Sequence, residues 1–290
     1  MGGAEQHERA GERPSLYVVA TPIGNLADVT LRALEVLKRV AVIAAEDTRV
    51  TARLLDHYGI ATPLIALHEH NERRAAQQIL RHLARGGSVA LVSDAGTPAV
   101  SDPGALAVRL VREAGYPVVP VPGANAALAA LAAAGSPARH FLIYGFLPAQ
   151  TAARRRELEA LRDCPQLIAF YEAPHRVVAS INDLLAVFGG ERTITIAREL
   201  TKLFETIHTC RLDAAAAWIA ADPNRARGEF VLLVEGAEPA AGDALPLAQR
   251  ALEVLARELP PAQAARLAAK ISGARKGDVY ALALQAKKRR

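Results

Sequence analysis

Cysteine is nearly absent from this chain. The two present, Cys164 and Cys210, have neither the density of a disulfide scaffold nor the paired spacing of a zinc site, which predicts two reduced thiols in a cytosol. Aromatic residues make up 4% of the chain, so cores built on bulky rings are not expected. Ala-rich stretches such as 126–134 point instead to helices that pack closely on their neighbours. No apolar run approaches the roughly 18–20 residues that cross a bilayer, and the opening MGGAEQHERAGERP carries charge without an apolar signal core. The expectation is a cytoplasmic protein with no membrane partner. GxxxxGK[ST] is missing, which excludes a P-loop; no GxGxxG follows the first strand, which removes a Rossmann dinucleotide site; no GxSxG elbow occurs. His68 and His70 flank Glu69 without HExxH spacing or a third ligand nearby, so loop hydrogen bonding is expected there and no metal.

What is present describes a globular enzyme-sized chain. Its 290 residues, 51% hydrophobic and 22% charged, suffice for two domains and an appendage. Charge is unevenly placed. Residues 266–290 hold eight Lys/Arg against the single acid Asp278, a net +7, so the first 265 residues carry −2 of the total +5. A basic end on a near-neutral body suits a polyanion, although a solvated tail would look the same at the final KKRR.

Short β-branched runs alternate with helical stripes. Strands are expected at 16–20, 40–44, 63–66, 89–92 and 118–121, with helices at 31–40, 53–57, 73–84, 103–114 and after 125. Such alternation predicts a mostly parallel sheet covered on both faces, with the ligand beyond the C-terminal strand ends. The loops TPIGN, AEDTR, LHEHNE, SDAGTP and PGAN all fall at those ends and are expected to line one crevice. A second α/β unit is predicted from strands at 141–144, 167–171, 193–197 and 230–234 and helices at 151–162, 175–187 and 212–221. The expected divisions are a flexible tail, 1–13; α/β domains, 14–137 and 138–238; a linker, 239–246; and a basic helix-turn-helix-like module, 247–290, of three short helices.

AEDTR and RELTK each end a buried-looking strand with charges of both signs. Facing a crevice, they would orient a substrate or shift the pKa of a base; spacing alone leaves a structural salt-bridge network equally open.

TPIGNLADVTLRALEVL, AAEDTR, LHEHNE, VSDAGTPAVSDPG, VPGANAALAALAAAG, FLIYGFLP, FYEAPHRV and ARELTKLFET occur in that order. Together they closely resemble the ribosomal RNA 2′-O-methyltransferases of the tetrapyrrole methylase superfamily, over about residues 15–236, and the C-terminal helices resemble the helical extension of that group. The resemblance implies two α/β domains of the tetrapyrrole methylase type plus a small C-terminal helical module, with S-adenosylmethionine in the cleft between the domains, and a homodimer. It also implies methyl transfer to a cytidine 2′-hydroxyl in the decoding region of 16S rRNA, on the small ribosomal subunit. The alternative on the same scaffold is a tetrapyrrole C-methyltransferase, which has no use for a basic appendage.

Carried over residue by residue, the resemblance assigns cofactor contacts to Asp94, Gly96, Thr97, Pro98 and Val100, to Asn125 and Ala126, to Tyr171 and Ala197, and to Pro22. A 2′-hydroxyl is a weak acid, so a proton acceptor or a cation at the emerging alkoxide would help. Lys202 and Arg49 are the candidate cations, and Glu46 and Glu199 the candidates for orientation or proton acceptance. An RNA substrate needs phosphate contacts outside the cleft. Arg275, Lys276, Lys287, Lys288, Arg289 and Arg290 are the candidates, with Arg154, Arg155 and Arg156 as a second group.

Overall fold

Val42–Ala45 (VIAA) and Val89–Val92 (VALV) carry no alternating polar residue, and both are buried along their whole length. That is the signature of strands covered on both faces. They sit inside the first sheet of the computed structural model, which describes residues 13–237, 241–256 and 258–288. Of the expected N-terminal tail, residues 1–12 lie outside this range.

The first unit runs β1 (Leu16–Val19), α1 (Leu31–Arg39), β2 (Val42–Ala45), α2 (Thr48–His57), β3 (Leu64–Ala66), α3 (Glu72–Ala84), β4 (Val89–Val92), α4 (Ala105–Glu113), β5 (Val118–Val121) and α5 (Ala126–Ala134). Its strands pair in parallel in the order β3-β2-β4-β1-β5. The loops after β4, β1 and β5 therefore open side by side, at the edge where open α/β sheets bind ligands.

Helix α2 starts earlier than the expected 53, because the Asp47 side chain accepts from Arg49 N at 2.8 Å and caps it. The LHEHNE loop does not reach the crevice. It follows β3, the outermost strand, and its Glu72 instead accepts backbone hydrogen bonds from Gly104 at 3.0 Å and Leu106 at 2.7 Å, capping the start of α4.

The second unit comprises β6 (Phe141–Phe146), α6 (Thr151–Ala160), β7 (Leu167–Glu172), α7 (Val177–Phe188), β8 (Thr193–Arg198), β9 (Thr206–Arg211), α8 (Leu212–Ala220) and β10 (Phe230–Val234). Its order is β6-β7-β10-β8-β9, with β6-β7 parallel and the other pairs antiparallel. β9, absent from the sequence expectation, is an edge strand of sequence TIHTCR from Thr206 to Arg211 without an apolar run.

One face of this sheet packs on α6, α7 and α8 through Leu158, Phe170, Ile181, Leu184, Ile196 and Leu212. The other face takes α5 from the first unit: Ala127 and Ala130 are fully buried against Leu167, Ala169, Ala197, Val231 and Leu233. Alanine lets the helix backbone approach the strands closely, and α5 thereby ties the two units together.

Helices α9 (Ala241–Leu255), α10 (Pro261–Ser272) and α11 (Lys276–Lys288) form a third unit. Its core is its own, made of Ala248, Leu252, Ala264, Ala265, Ala268, Ala269 and Val279. The stretch expected as a linker, 239–246, is helical from Ala241, with Pro246 inside the helix. Gly273, at φ +72°, ends α10 in the left-handed conformation that releases the chain into α11.

Candidate active site

The loop after β1 meets the loop after β4 through a two-way backbone bridge: Thr21 N donates to Gly96 O at 2.8 Å, and Gly96 N donates to Thr21 O at 3.0 Å. Gly96, at φ +78°, supplies a left-handed turn there. Beyond it, Ala99 and Ser101 also adopt positive φ, both 64°. Ser101 fits over Gly145 of the second unit, where a Cβ would lie 2.9 Å from the serine Oγ. A β-bulge between Ile143 and Gly145 breaks the β6-β7 register at that contact. On the first unit's side of the junction Ala99 and Ser101 carry the strain of the left-handed region, and on the other side glycine takes the positive φ without it.

The result is a cleft of about 420 Å³ between the two α/β units. Asp94, Gly96, Thr97, Val100, Asn125, Ala126, Tyr171 and Ala197 all line it, as does Glu46. Of the other residues assigned to the cofactor, Pro98 is in the same loop without lining the cleft, and Pro22 lines a smaller adjoining cavity of about 270 Å³. Ile23, Asp94, Ala95 and Glu229 belong to the walls of both cavities.

The cleft carries an excess of carboxylates. Asp94 Oδ1 accepts from Asp47 N at 2.9 Å, and Glu46 Oε2 accepts from Asp94 N at 3.3 Å. Burial pushes Glu46 above the usual carboxylate range, and the neighbouring charges of Asp102, Asp94 and Asp47 add to this against the Asp94 hydrogen bond. Burial likewise raises Asp94 and Asp102. It raises the Tyr171 hydroxyl too, against hydrogen bonding from Ala127 and Asn125. Among the described residues no cluster of His, Cys, Asp and Glu has the arrangement of a metal site.

The RELTK loop closes the far side. Glu199 and Thr201 have φ of 51° and 65°, a left-handed geometry that a β-branched residue such as Thr201 rarely adopts. Thr201 Oγ1 accepts from Asn25 N at 3.1 Å, joining this loop to the loop after β1. Lys202 Nζ lies 2.9 Å from Glu199 Oε1 and 3.0 Å from Glu229 Oε2. Burial works against the lysine's charge, but those two carboxylates win and hold its pKa above the usual value. The side chain lines the smaller cavity as a permanent cation. For Glu199 burial favours the neutral acid, and its hydrogen bonds to Lys202 and to Glu229 N more than offset this, so its pKa is lowered.

Arg49 is not brought to either cavity. Its side chain is 86% exposed and pairs at 2.6 Å with Asp47, the residue that caps its own helix. Glu199 also stays off both walls, folded against Lys202 and over Gly228, where a Cβ would sit 2.6 Å from Oε1. Arg154 does not face a phosphate. It is 2% exposed, with Nε donating to Asp183 Oδ2 at 2.7 Å, while Arg155 Nε donates to Asp183 Oδ1 at 2.6 Å. Arg156 is exposed, as are Arg275 and Lys276 at the start of α11. Lys287 and Lys288 end that helix, their side chains outside what is described; Arg289 and Arg290 lie outside the described residues altogether.

The sequence gives no signal for Thr51, Arg53, Asp102, Phe146 and Glu229, all of which line one or both cavities. Asp102 and Phe146 lie within the VSDAGTPAVSDPG and FLIYGFLP stretches without standing out by type, Thr51 and Arg53 lie on α2 just past AEDTR, and Glu229 directly precedes β10.

A parallel sheet and a mixed sheet that meet at a cleft edged by glycine-bearing turns define a two-unit α/β protein with a ligand-sized cleft between the units. The chain belongs to the tetrapyrrole (corrin/porphyrin) methylase family, whose sequence pattern matches residues 15–216, and within it to the ribosomal RNA small subunit methyltransferase I group. A second pattern, described as the RsmI C-terminal HTH domain, matches residues 241–287. Ribosomal RNA small subunit methyltransferase I of Pseudomonas aeruginosa is 51% identical over 93% of this chain and 97% of its own. The protein of the same name from Escherichia coli O157:H7 is 50% identical over 97% and 99%. Among solved structures, the methyltransferase CobJ superposes with a TM-score of 0.58 at 25% identity, covering 77% of this chain and 95% of its own. Uroporphyrin-III C-methyltransferase from Thermus thermophilus, complexed with S-adenosyl homocysteine, gives 0.54 at 20% identity, covering 76% and 97%.

Proposed function

We propose that the protein transfers the methyl group of S-adenosylmethionine to the ribose 2′-oxygen of a cytidine in the decoding region of 16S rRNA, on the small ribosomal subunit. The observation that carries this reading is the cleft of about 420 Å³ between the units, within the range of about 300–1,000 Å³ for pockets that bury a small ligand. Gly96, at φ +78°, turns the loop so that its neighbours line the cleft, with Asn125, Ala126, Tyr171 and Ala197 around the space for the cofactor. When bound, S-adenosylmethionine supplies an electrophilic methyl carbon on a sulfonium.

The protein has then to align the acceptor oxygen with that carbon, keep water out and handle one proton. Glu46, on the cleft wall with a raised pKa, is the acceptor for the 2′-proton. Lys202 stays protonated and provides positive potential for the oxygen as it becomes anionic. Arg49 is tied to a helix cap and takes no part. The basic third unit, with Arg275 and Lys276 exposed, gives an rRNA reading an advantage over tetrapyrrole C-methylation, which the fold alone would allow. Exposed Phe141 and Leu142 on the edge strand β6 support a homodimer, and the ribosomal substrate places the activity in the cytoplasm.

Labelled methyl transfer from S-adenosylmethionine to small subunits purified without their native methylation tests the reading. Label in the 16S rRNA is expected. Cofactor binding with no label in RNA, and transfer to a tetrapyrrole instead, would overturn it.

A further inference from the structure

Five carboxylates line the larger cleft, those of Glu46, Asp94, Asp102, Glu172 and Glu229, and among the described residues no lysine, arginine or histidine does. Two of the five have cations of their own: Glu172 lies 3.2 Å from Arg176, and Glu229 lies 3.0 Å from Lys202. Glu46, Asp94 and Asp102 form no ion pair among the described residues. Arg49, whose charge Asp94 feels, is itself held by Asp47 at 2.6 Å. These three carboxylates belong to the first unit, Glu46 directly after β2 and the two aspartates in the stretch after β4. Asp94 and Asp102 repel Glu46, and Asp94 repels Asp102. The second unit adds apolar groups such as Pro174, Ala197, Leu200 and Val231.

Like charges that share a cleft cost free energy, and a ligand that expels water from among them strengthens every electrostatic contact it makes. A cationic ligand relieves the repulsion, and a neutral one of the same shape does not. The cofactor of the proposed reaction differs from its product in that respect. Transfer breaks the bond between sulfur and methyl carbon, the electron pair stays on sulfur, and the carbon bonds to the ribose oxygen, so a sulfonium becomes a neutral thioether. The 2′-proton goes to Glu46, which leaves Asp94 and Asp102 facing a ligand that has lost its sulfonium charge. We infer that Asp94 and Asp102 are the counter-charges of the cofactor sulfonium and make the cleft prefer S-adenosylmethionine to S-adenosylhomocysteine, so that methyl transfer itself loosens the spent cofactor. The inference rests on the proposed methyl transfer and adds what lets the product leave.

Calorimetric titration of the protein with three ligands tests it: S-adenosylmethionine, S-adenosylhomocysteine, and sinefungin, which has an amine-bearing carbon in place of the methyl-bearing sulfur. Wild type is expected to bind the two cationic ligands about tenfold more tightly than the thioether. Asp102→Asn keeps the size of the side chain and removes its charge. It is expected to weaken both cationic ligands about tenfold, to leave S-adenosylhomocysteine within about twofold, and to melt at the wild-type temperature or higher because one like charge is gone. Asp94→Asn, whose amide oxygen can still accept from Asp47 N, is expected to act in the same direction. Equal wild-type affinity for charged and neutral ligands, or an equal loss of all three in both variants, or a preference unchanged in both, overturns the inference and leaves the proposed activity standing. Failure of the wild-type protein to bind any of the three overturns the cofactor reading itself, and is read before any variant is compared.

Discussion

Lys202 lies across Gly24: a methyl group on that glycine would stand 2.5 Å from the lysine Cγ and 3.0 Å from Thr201 Oγ1. The contact fixes the loop after β8 onto the loop after β1, and so sets where Lys202 stands relative to the cleft. Gly24 itself lacks a positive φ, so alanine there is not excluded by its own backbone. Gly24→Ala is expected to fold, to bind S-adenosylmethionine within about twofold of wild type, and to lose about tenfold in kcat because Lys202 is displaced. Calorimetric titration and single-turnover assays check this; wild-type kcat would show that the position of Lys202 does not matter.

The ion pairs of Lys202 should appear in stability against pH. Glu199 has a lowered pKa in the folded protein, so its contribution is present above its unfolded pKa of about 4.5 and is lost as pH falls through the folded value. Lys202 has a raised pKa, so its contribution is complete below its unfolded value of about 10.5 and is lost as pH rises through the folded one. Both groups are partly solvated, which limits the effect to about 0.2–1 kcal/mol. Urea unfolding of wild type and Lys202→Met is expected to differ at pH 7 and to converge well below pH 4.5, where Glu199 is protonated in both proteins.

Proton acceptance by Glu46 has its own signature. Burial raises its pKa, so wild-type kcat should fall on the acid side of neutrality, earlier than an ordinary carboxylate would cause. Glu46→Gln is expected to lower kcat by about 10²-fold and to remove that acid limb, leaving cofactor affinity within a few-fold. An unchanged pH profile in the variant would assign the proton to another group.

Two clusters of arginine predict opposite behaviour. Arg154 is buried on Asp183, and its removal leaves that buried carboxylate with the half-exposed Arg155 as its one remaining arginine partner. Arg154→Ala should cost about 1–3 kcal/mol in denaturant unfolding and leave the salt dependence of RNA binding unchanged. Arg275→Gln and Lys276→Gln should leave the melting temperature alone, and each should reduce the slope of log K against log salt by about 1.

The contrast between those clusters shows what the sequence carries. The parallel sheet is legible because VIAA and VALV are unbroken apolar runs, and the Gly- and Pro-bearing turns SDAGTP and PGAN mark Asp94, Gly96, Thr97, Asn125 and Ala126 as neighbours. LHEHNE follows the same rule and still misses the cleft, because strand order is not written locally and β3 falls at the outer edge. Arg154 and Arg156 look alike in sequence; two positions, a little over half a helical turn, decide which of them meets Asp183 and which meets water. Thr51 and Arg53 belong to a helix whose start depends on Asp47 acting as a cap, so their place on a cavity wall emerges only when α2 is set against the loop after β1.

The central claim is that the inter-unit cleft delivers a methyl group to a ribose oxygen. Its most direct test is nuclease digestion and nucleoside mass spectrometry of 16S rRNA after incubation of unmethylated small subunits with the protein and labelled S-adenosylmethionine. A single labelled product, 2′-O-methylcytidine, is predicted. Label on a base, or in no nucleoside at all, would contradict it.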